Sequence, residues 1–212
     1  HGTAKAVLSD TWLGLAGRVA AMPWPQNGQR VEMTMLVGTE TSRLTLLGGP
    51  DAGEVWGIQS WATYRIKGRV MIFGRDDTVS FWLPTIQYFI EAPFRLREAT
   101  VVAYMGSVTV EGRQYDRVFA SWGTDEPQEK IDQYIVWIDR ETGLLAFLEY
   151  TVRDILPSLT ATIAYEDYQV VDGIHVAMTM VNVSSPGGER VGHRMELERI
   201  EYGITVPADH FV

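Results

Sequence analysis

The sequence predicts a mainly β (α+β) domain: one curved antiparallel sheet of about 11–13 strands forming an unclosed barrel. An N-terminal helix and a proline-broken central helix are expected over its concave face. Three observations carry this. Short apolar runs bounded by turn residues recur along the chain, a helical periodicity opens it, and a proline-containing apolar segment interrupts the runs midway.

Ala4, Val7, Leu8, Thr11, Trp12, Leu15 and Val19 fall at three- and four-residue spacing, which predicts an amphipathic helix ending at Pro23 and Pro25. Runs at 31–36, 42–47, 54–58, 62–66, 70–73 and 78–81 then read as strands. The breaks between them carry the Gly, Asp and Pro of tight turns. Pro84 suits a first helical turn, and Ile86, Phe89, Ile90 and Phe94 follow at helical spacing. Pro93 predicts a kink or break near Ala92. This segment reads either as a core-packing connector or as an apolar flap over a cavity. Strands resume at 100–110, 115–121, 134–139, 144–151, 160–171, 174–183 and 193–201, with Asp172-Gly173 as a hairpin turn. No linker or shift in composition divides the chain, so residues 1–212 are expected to form a single domain.

A meander of this length does not stay flat, and curling gives it an inside. Around residues 134–138 both alternating sets are apolar, so both faces of that strand need cover. The chain has 212 residues, 46% of them apolar, enough for a substantial core. A net charge of -9 without a basic cluster removes the main driving force for nucleic-acid binding. With no cysteine there is no disulfide, thiolate metal site or cysteine nucleophile. No run of about 18 apolar residues is present to form a membrane-spanning helix. A chain opening on His1 is expected to be a trimmed product, so a signal peptide or lipid anchor upstream cannot be read from it.

Three stretches carry a resemblance. The Asp139-x-x-Thr142-Gly143-Leu144 turn lies between the strands of 134–150, Asp167-Tyr168 leads to Asp172-Gly173, and residues 112–119 fit a preceding strand. Together they resemble the LolA-like superfamily of envelope lipoprotein carriers and its uncharacterised secreted or lipoprotein relatives. His1-Gly2 and Trp12 are similar to the start of the helix that opens many such domains. The detailed match covers about residues 110–180. An arginine lock like that of the classical carriers has no counterpart here, and the central segment looks closer to the uncharacterised relatives. The resemblance implies an unclosed barrel with a capped apolar concavity. It also implies a periplasmic, outer-membrane-associated or secreted location, and a role in holding acyl chains or other lipid-like molecules.

No chemistry-bearing motif competes with this. His1, His175, His193 and His210 show no metal spacing and read as surface or rim residues, so no metal or other cofactor is expected. There is no nucleophile elbow and no phosphate-binding glycine loop. Neighbouring Glu166 and Asp167 point to opposite faces of a strand and cannot act together as acid and base. Seven Trp, nine Tyr, seven Phe and eight Met remain, most of them core. Val176, Met178 and Met180 alternate on one strand, and flexible Met suits a wall that accepts variable cargo. The expected function is therefore non-enzymatic binding or carriage of a hydrophobic ligand by Trp82, Ile86, Phe89, Ile90, Phe94, Trp137, Val176, Met178 and Met180. The alternative is an envelope scaffolding module whose groove is covered by a protein partner. A hydrolase is the third reading. The ligand's identity and the oligomeric state are not legible.

Overall fold

A computed structural model describes residues 2–13, 27–124, 126, 130–153 and 159–211. Six strands open the described chain: β1 (Thr3–Trp12), β2 (Arg30–Leu36), β3 (Thr41–Leu46), β4 (Val55–Gln59), β5 (Ala62–Lys67) and β6 (Val70–Phe73). A helix, α1 (Asp77–Leu96), follows. Seven more strands complete the sheet: β7 (Val101–Val110), β8 (Arg113–Ser121), β9 (Gln133–Asp139), β10 (Leu145–Thr151), β11 (Thr160–Val171), β12 (Ile174–Val183) and β13 (Arg190–Tyr202).

All 13 strands form one antiparallel sheet, in the order β6-β5-β4-β3-β2-β1-β13-β12-β11-β10-β9-β8-β7. The first and last strands therefore meet in the middle, from Ala4 opposite Tyr202 to Trp12 opposite His193. The free edges, β6 and β7, are joined through α1. One apolar cluster contains Trp56 from β4, Ala120 from β8 and the inner side of the helix. Those strands are nine steps apart, roughly 43 Å in a flat sheet at the usual strand spacing, whereas a helix of this length spans about 30 Å. The sheet must curl around α1, which makes the unclosed barrel.

The opening segment corrects the predicted amphipathic helix, because residues 3–12 form a strand. Ala4, Ala6, Leu8 and Asp10 are buried in alternation, and Val7 is buried on the opposite side next to a register shift. Pairing on both flanks, with β2 and β13, satisfies this backbone better than an isolated helix would. Leu15, Val19, Pro23 and Pro25 lie outside the described residues.

A second correction concerns the central helix. It begins at Asp77, so the strand expected at 78–81 is its first turn, and it runs through Pro84 and Pro93 without the predicted break near Ala92. Asp76 caps it, accepting from the amides of Thr78 at 3.0 Å and Val79 at 3.1 Å. Pro93 cannot donate to the Phe89 carbonyl, and the Tyr165 hydroxyl does so instead at 3.3 Å. Polar bonds hold the helix on both sides of this proline. Gln87 donates to the carbonyls of Leu36 (3.0 Å) and Thr39 (2.7 Å), Glu91 accepts from the Gly38 amide (2.9 Å), and Arg95 bridges Glu91 and Glu40, each at 3.0 Å.

The remaining predicted strands are present within a few residues at each end, and β6, β11 and β12 have the predicted bounds. Asp172 and Gly173 both have positive φ, 51° and 79°, as a two-residue hairpin turn requires. The Asp139 turn is held by its own carboxylate, which accepts from the amides of Glu141 (2.8 Å) and Thr142 (3.1 Å).

Two predictions follow from these packings. Replacing Gly57 by Ala would set a Cβ 1.9 Å from the Tyr64 ring, so Gly57→Ala should cost about 1–3 kcal/mol in urea unfolding. Removing the cap with Asp76→Ala should cost about 1 kcal/mol. Burial pushes the Asp76 carboxyl up, but hydrogen bonds from Arg65, Val79 and Thr78 and the Arg65 charge outweigh it and hold it below its ordinary value. A carboxyl lowered by folding stabilises the native state above the ordinary value of 3.8, and that contribution fades as pH falls through the lowered one. The difference between wild type and Asp76→Ala should therefore shrink on acidification below that point.

Candidate functional site

Helix α1 does not fill the inner face of the sheet, and hollows remain beside it, two of them lined by described residues. The larger, about 350 Å³, lies along the first part of the helix. Phe81, Trp82, Tyr88 and Phe89 of α1 form one wall, Tyr134 and Tyr150 of β9 and β10 another, and Trp12 of β1 with His193 of β13 a third. Trp61, from the β4–β5 turn, also lines it. The smaller, about 140 Å³, lies along the later part, between Phe89, Ile90 and Phe94 and the strand residues Val176, Met180 and Tyr165.

Of the residues predicted from sequence, Trp82 and Phe89 line the larger hollow, and Phe89, Ile90, Phe94, Val176 and Met180 line the smaller. Ile86 and Met178 are buried in the core and line neither. Trp137 is also on neither. It alternates with Tyr134 and Val136 along β9 and so lies on the other face of the sheet, packed against Tyr115 and Phe147, with its Nε1 donating to Glu149 at 2.5 Å. The doubly apolar strand is thus covered twice, by the helix side and by this aromatic cluster.

Sequence reasoning missed Trp12, Phe81, Tyr88, Tyr134 and Tyr150 as lining residues, and it treated His193 as a surface or rim residue. The His193 side chain is only 12% exposed. Its Nδ1 pairs with both oxygens of Asp10, at 3.0 and 2.9 Å, and Asp10 is 1% exposed. The ring stacks on Trp12, with centroids 4.9 Å apart. Strand pairing would have exposed this group, since Trp12 faces His193 across β1 and β13.

Most polar groups on the wall are engaged by the chain itself. The Ser80 hydroxyl donates to the Asp77 carbonyl and that of Thr85 to the Phe81 carbonyl. Thr151 donates to Asp132 at 2.9 Å, and the same carboxylate oxygen accepts from the Arg153 amide. Among the described residues no Ser or Thr hydroxyl is hydrogen-bonded to His193. No group of three or more His, Asp or Glu that could hold a metal is found among the described residues, nor is any described helix long and apolar enough to cross a membrane.

Burial pushes the hydroxyls of Tyr88, Tyr134 and Tyr150 well above their ordinary value of 10.0, with the neighbouring phenols adding to the rise at Tyr134 and Tyr150. These three phenols are therefore neutral at physiological pH. A phenol raised by folding contributes stability that is complete below its ordinary value and lost as pH rises through the raised one. Alkaline titration followed by tyrosine absorbance and circular dichroism should show these residues ionising together with unfolding. Ionisation of the full tyrosine complement with an intact dichroism spectrum would contradict the described burial.

No protein-family model matches the chain, and no curated protein matches it in sequence. Solved structures do share its fold. A DUF1329 family protein from Desulfovibrio piger superposes with a TM-score of 0.63 at 12% identity, over 100% of this chain and 89% of that one. A domain named for outer-membrane lipoprotein sorting, from Vibrio parahaemolyticus, gives 0.59 at 11% identity, over 99% and 89%. A LolA superfamily protein from Nitrosomonas europaea gives 0.57 at 8% identity, over 100% and 89%. The chain shares the fold of these three structures.

Proposed function

We propose that this chain binds and carries a hydrophobic, lipid-like ligand in the cell envelope and performs no chemistry on it. The observation that carries the reading is the hollow of about 350 Å³ between the curled sheet and α1, with aromatic rings on every side of it. Each buried methylene contributes about 0.8 kcal/mol, so roughly ten of them suffice for micromolar affinity without a charged contact. The names of two neighbours, one for lipoprotein sorting and one for the LolA superfamily, agree with the envelope as the setting.

A second reading, a scaffolding module, is favoured by one feature. The free edge strand β6 exposes apolar side chains along its whole length, with Val70 at 60%, Ile72 at 59% and Phe73 at 67%. A stable oligomer or co-purifying chain that covers β6 would support it.

The carrier reading is tested on delipidated protein by displacement of a fluorescent fatty acid, with native mass spectrometry for stoichiometry. One guest per chain at micromolar dissociation constant is expected. Ala161 lines the hollow, so Ala161→Trp should fill it and weaken binding at least about tenfold. Absence of uptake, or uptake indifferent to Ala161→Trp, would refute the reading.

A further inference from the structure

Resting on the carrier reading, we propose that the larger hollow selects an amphiphile with a carboxylic acid head, and that His193 holds this head. The fold leaves some hydrogen-bonding capacity unused on this wall. The hydroxyls of Ser80, Thr85 and Thr151 already donate to the chain. His193 differs, because only Nδ1 is occupied and Nε2 is bonded to no described residue. The indole nitrogens of Trp12 and Trp82 are buried and meet no acceptor. These three rings are one cluster, with Trp12 stacked on His193 at 4.9 Å and edge-on to Trp82 at 6.2 Å. All three line the hollow.

Two N–H donors without acceptors and one imidazole nitrogen therefore cluster on a wall that also carries the Asp132 carboxylate and the phenols of Tyr88, Tyr134 and Tyr150. A buried donor without an acceptor is unfavourable by about 1–3 kcal/mol, so a guest that brings oxygen to this corner gains what an alkane does not. Asp10, almost wholly buried, fixes the orientation of the imidazole as a carboxylate behind a histidine does elsewhere. A carboxyl head matches Nε2 in either form. The acid donates its O–H to the neutral ring, or the carboxylate accepts N–H from the protonated ring, and the pair holds the same single proton in both cases. The second carboxyl oxygen accepts from an indole N–H once the Trp12 or Trp82 ring turns, because neighbouring atoms cover both nitrogens. An alcohol lacks that second oxygen, and an ester has no proton to share. The carboxylate on the wall, Asp132, is engaged by Thr151 and the Arg153 amide and is not part of the cluster.

The test compares dodecanoic acid, dodecanol and methyl dodecanoate, each below its self-association limit. Binding is read by tryptophan fluorescence on the delipidated full chain at one neutral pH, for wild type, His193→Phe and His193→Gln, with near-ultraviolet dichroism checking the fold. The wild type should bind the acid at least about tenfold tighter than the other two, and both variants should shrink that ratio to about threefold or less. Equal binding of the three guests by wild type overturns the inference while leaving carriage of an apolar guest intact. Variants that weaken all three guests by one common factor also overturn it, since His193 would then act only in shaping the wall. Failure of every guest to bind removes both this inference and the carrier reading beneath it.

Discussion

A single described helix has to cover the inner face of a 13-stranded sheet, and the rest of the structure depends on that mismatch. A 20-residue helix is about 30 Å long and 10–12 Å wide, far less than the area such a sheet encloses once curled. The sheet can close over only part of it, and what the helix does not reach is either filled by large side chains or left hollow. Large aromatic residues take up much of this space, which accounts for the abundance of Trp, Tyr and Phe in the chain. The remaining hollows follow from geometry, not from any motif.

The helix is held where it is by polar bonds as well as by apolar contact. Gln87, Glu91 and Arg95 fasten its later part to the turn between β2 and β3, while Asp76, braced by Arg65 at 2.6 Å, fixes its start. Burial raises the Glu91 carboxyl, against the hydrogen bonds from Gly38, Gln87 and Arg95 that favour its charged form. A buried ionic group of this kind adds little net stability, yet it disfavours any other placement of the helix, because a shifted register would leave it unpaired. Apolar packing alone would let α1 slide along a face of interchangeable Leu, Met and Ile.

Much of this fold was legible because strand signals are local. Turn residues and alternation located β2 to β6 and β7 to β13 within a few residues. The opening strand was not, since Ala4, Val7, Leu8 and Trp12 fit a helical stripe as well as a strand, and only pairing with β2 and β13 decides between them. That one error concealed the site's polar corner, because Asp10, Trp12 and His193 come together through the β1–β13 ladder. The start of α1 was missed for a similar reason: Pro84 drew attention to itself, while the capping bond of Asp76 lies earlier. Trp137 was misjudged because alternation says that two faces differ without saying which one is concave. The Met-bearing face of β12 was read correctly as inward, though Met178 contributes to solid core and not to a hollow.

The larger hollow also owes its persistence to the kind of residue around it. A wall of long aliphatic side chains would collapse inward in the absence of a guest, since rotamer changes are cheap and each gained contact is favourable. Rings move as rigid plates, and here they brace one another: Phe81 stands edge-on to Trp82 at 5.3 Å, Phe89 edge-on to Tyr150 at 5.5 Å, and Tyr88 stacks on Tyr134 at 5.4 Å. Moving any one of these rings into the space would break a contact with its neighbour. The smaller hollow borders Met180, whose flexible thioether can adjust to what lies beside it. A rigid aromatic chamber next to a pliable one makes the first the better candidate for a guest of defined shape, because its form is set before the guest arrives and little ordering remains to oppose binding.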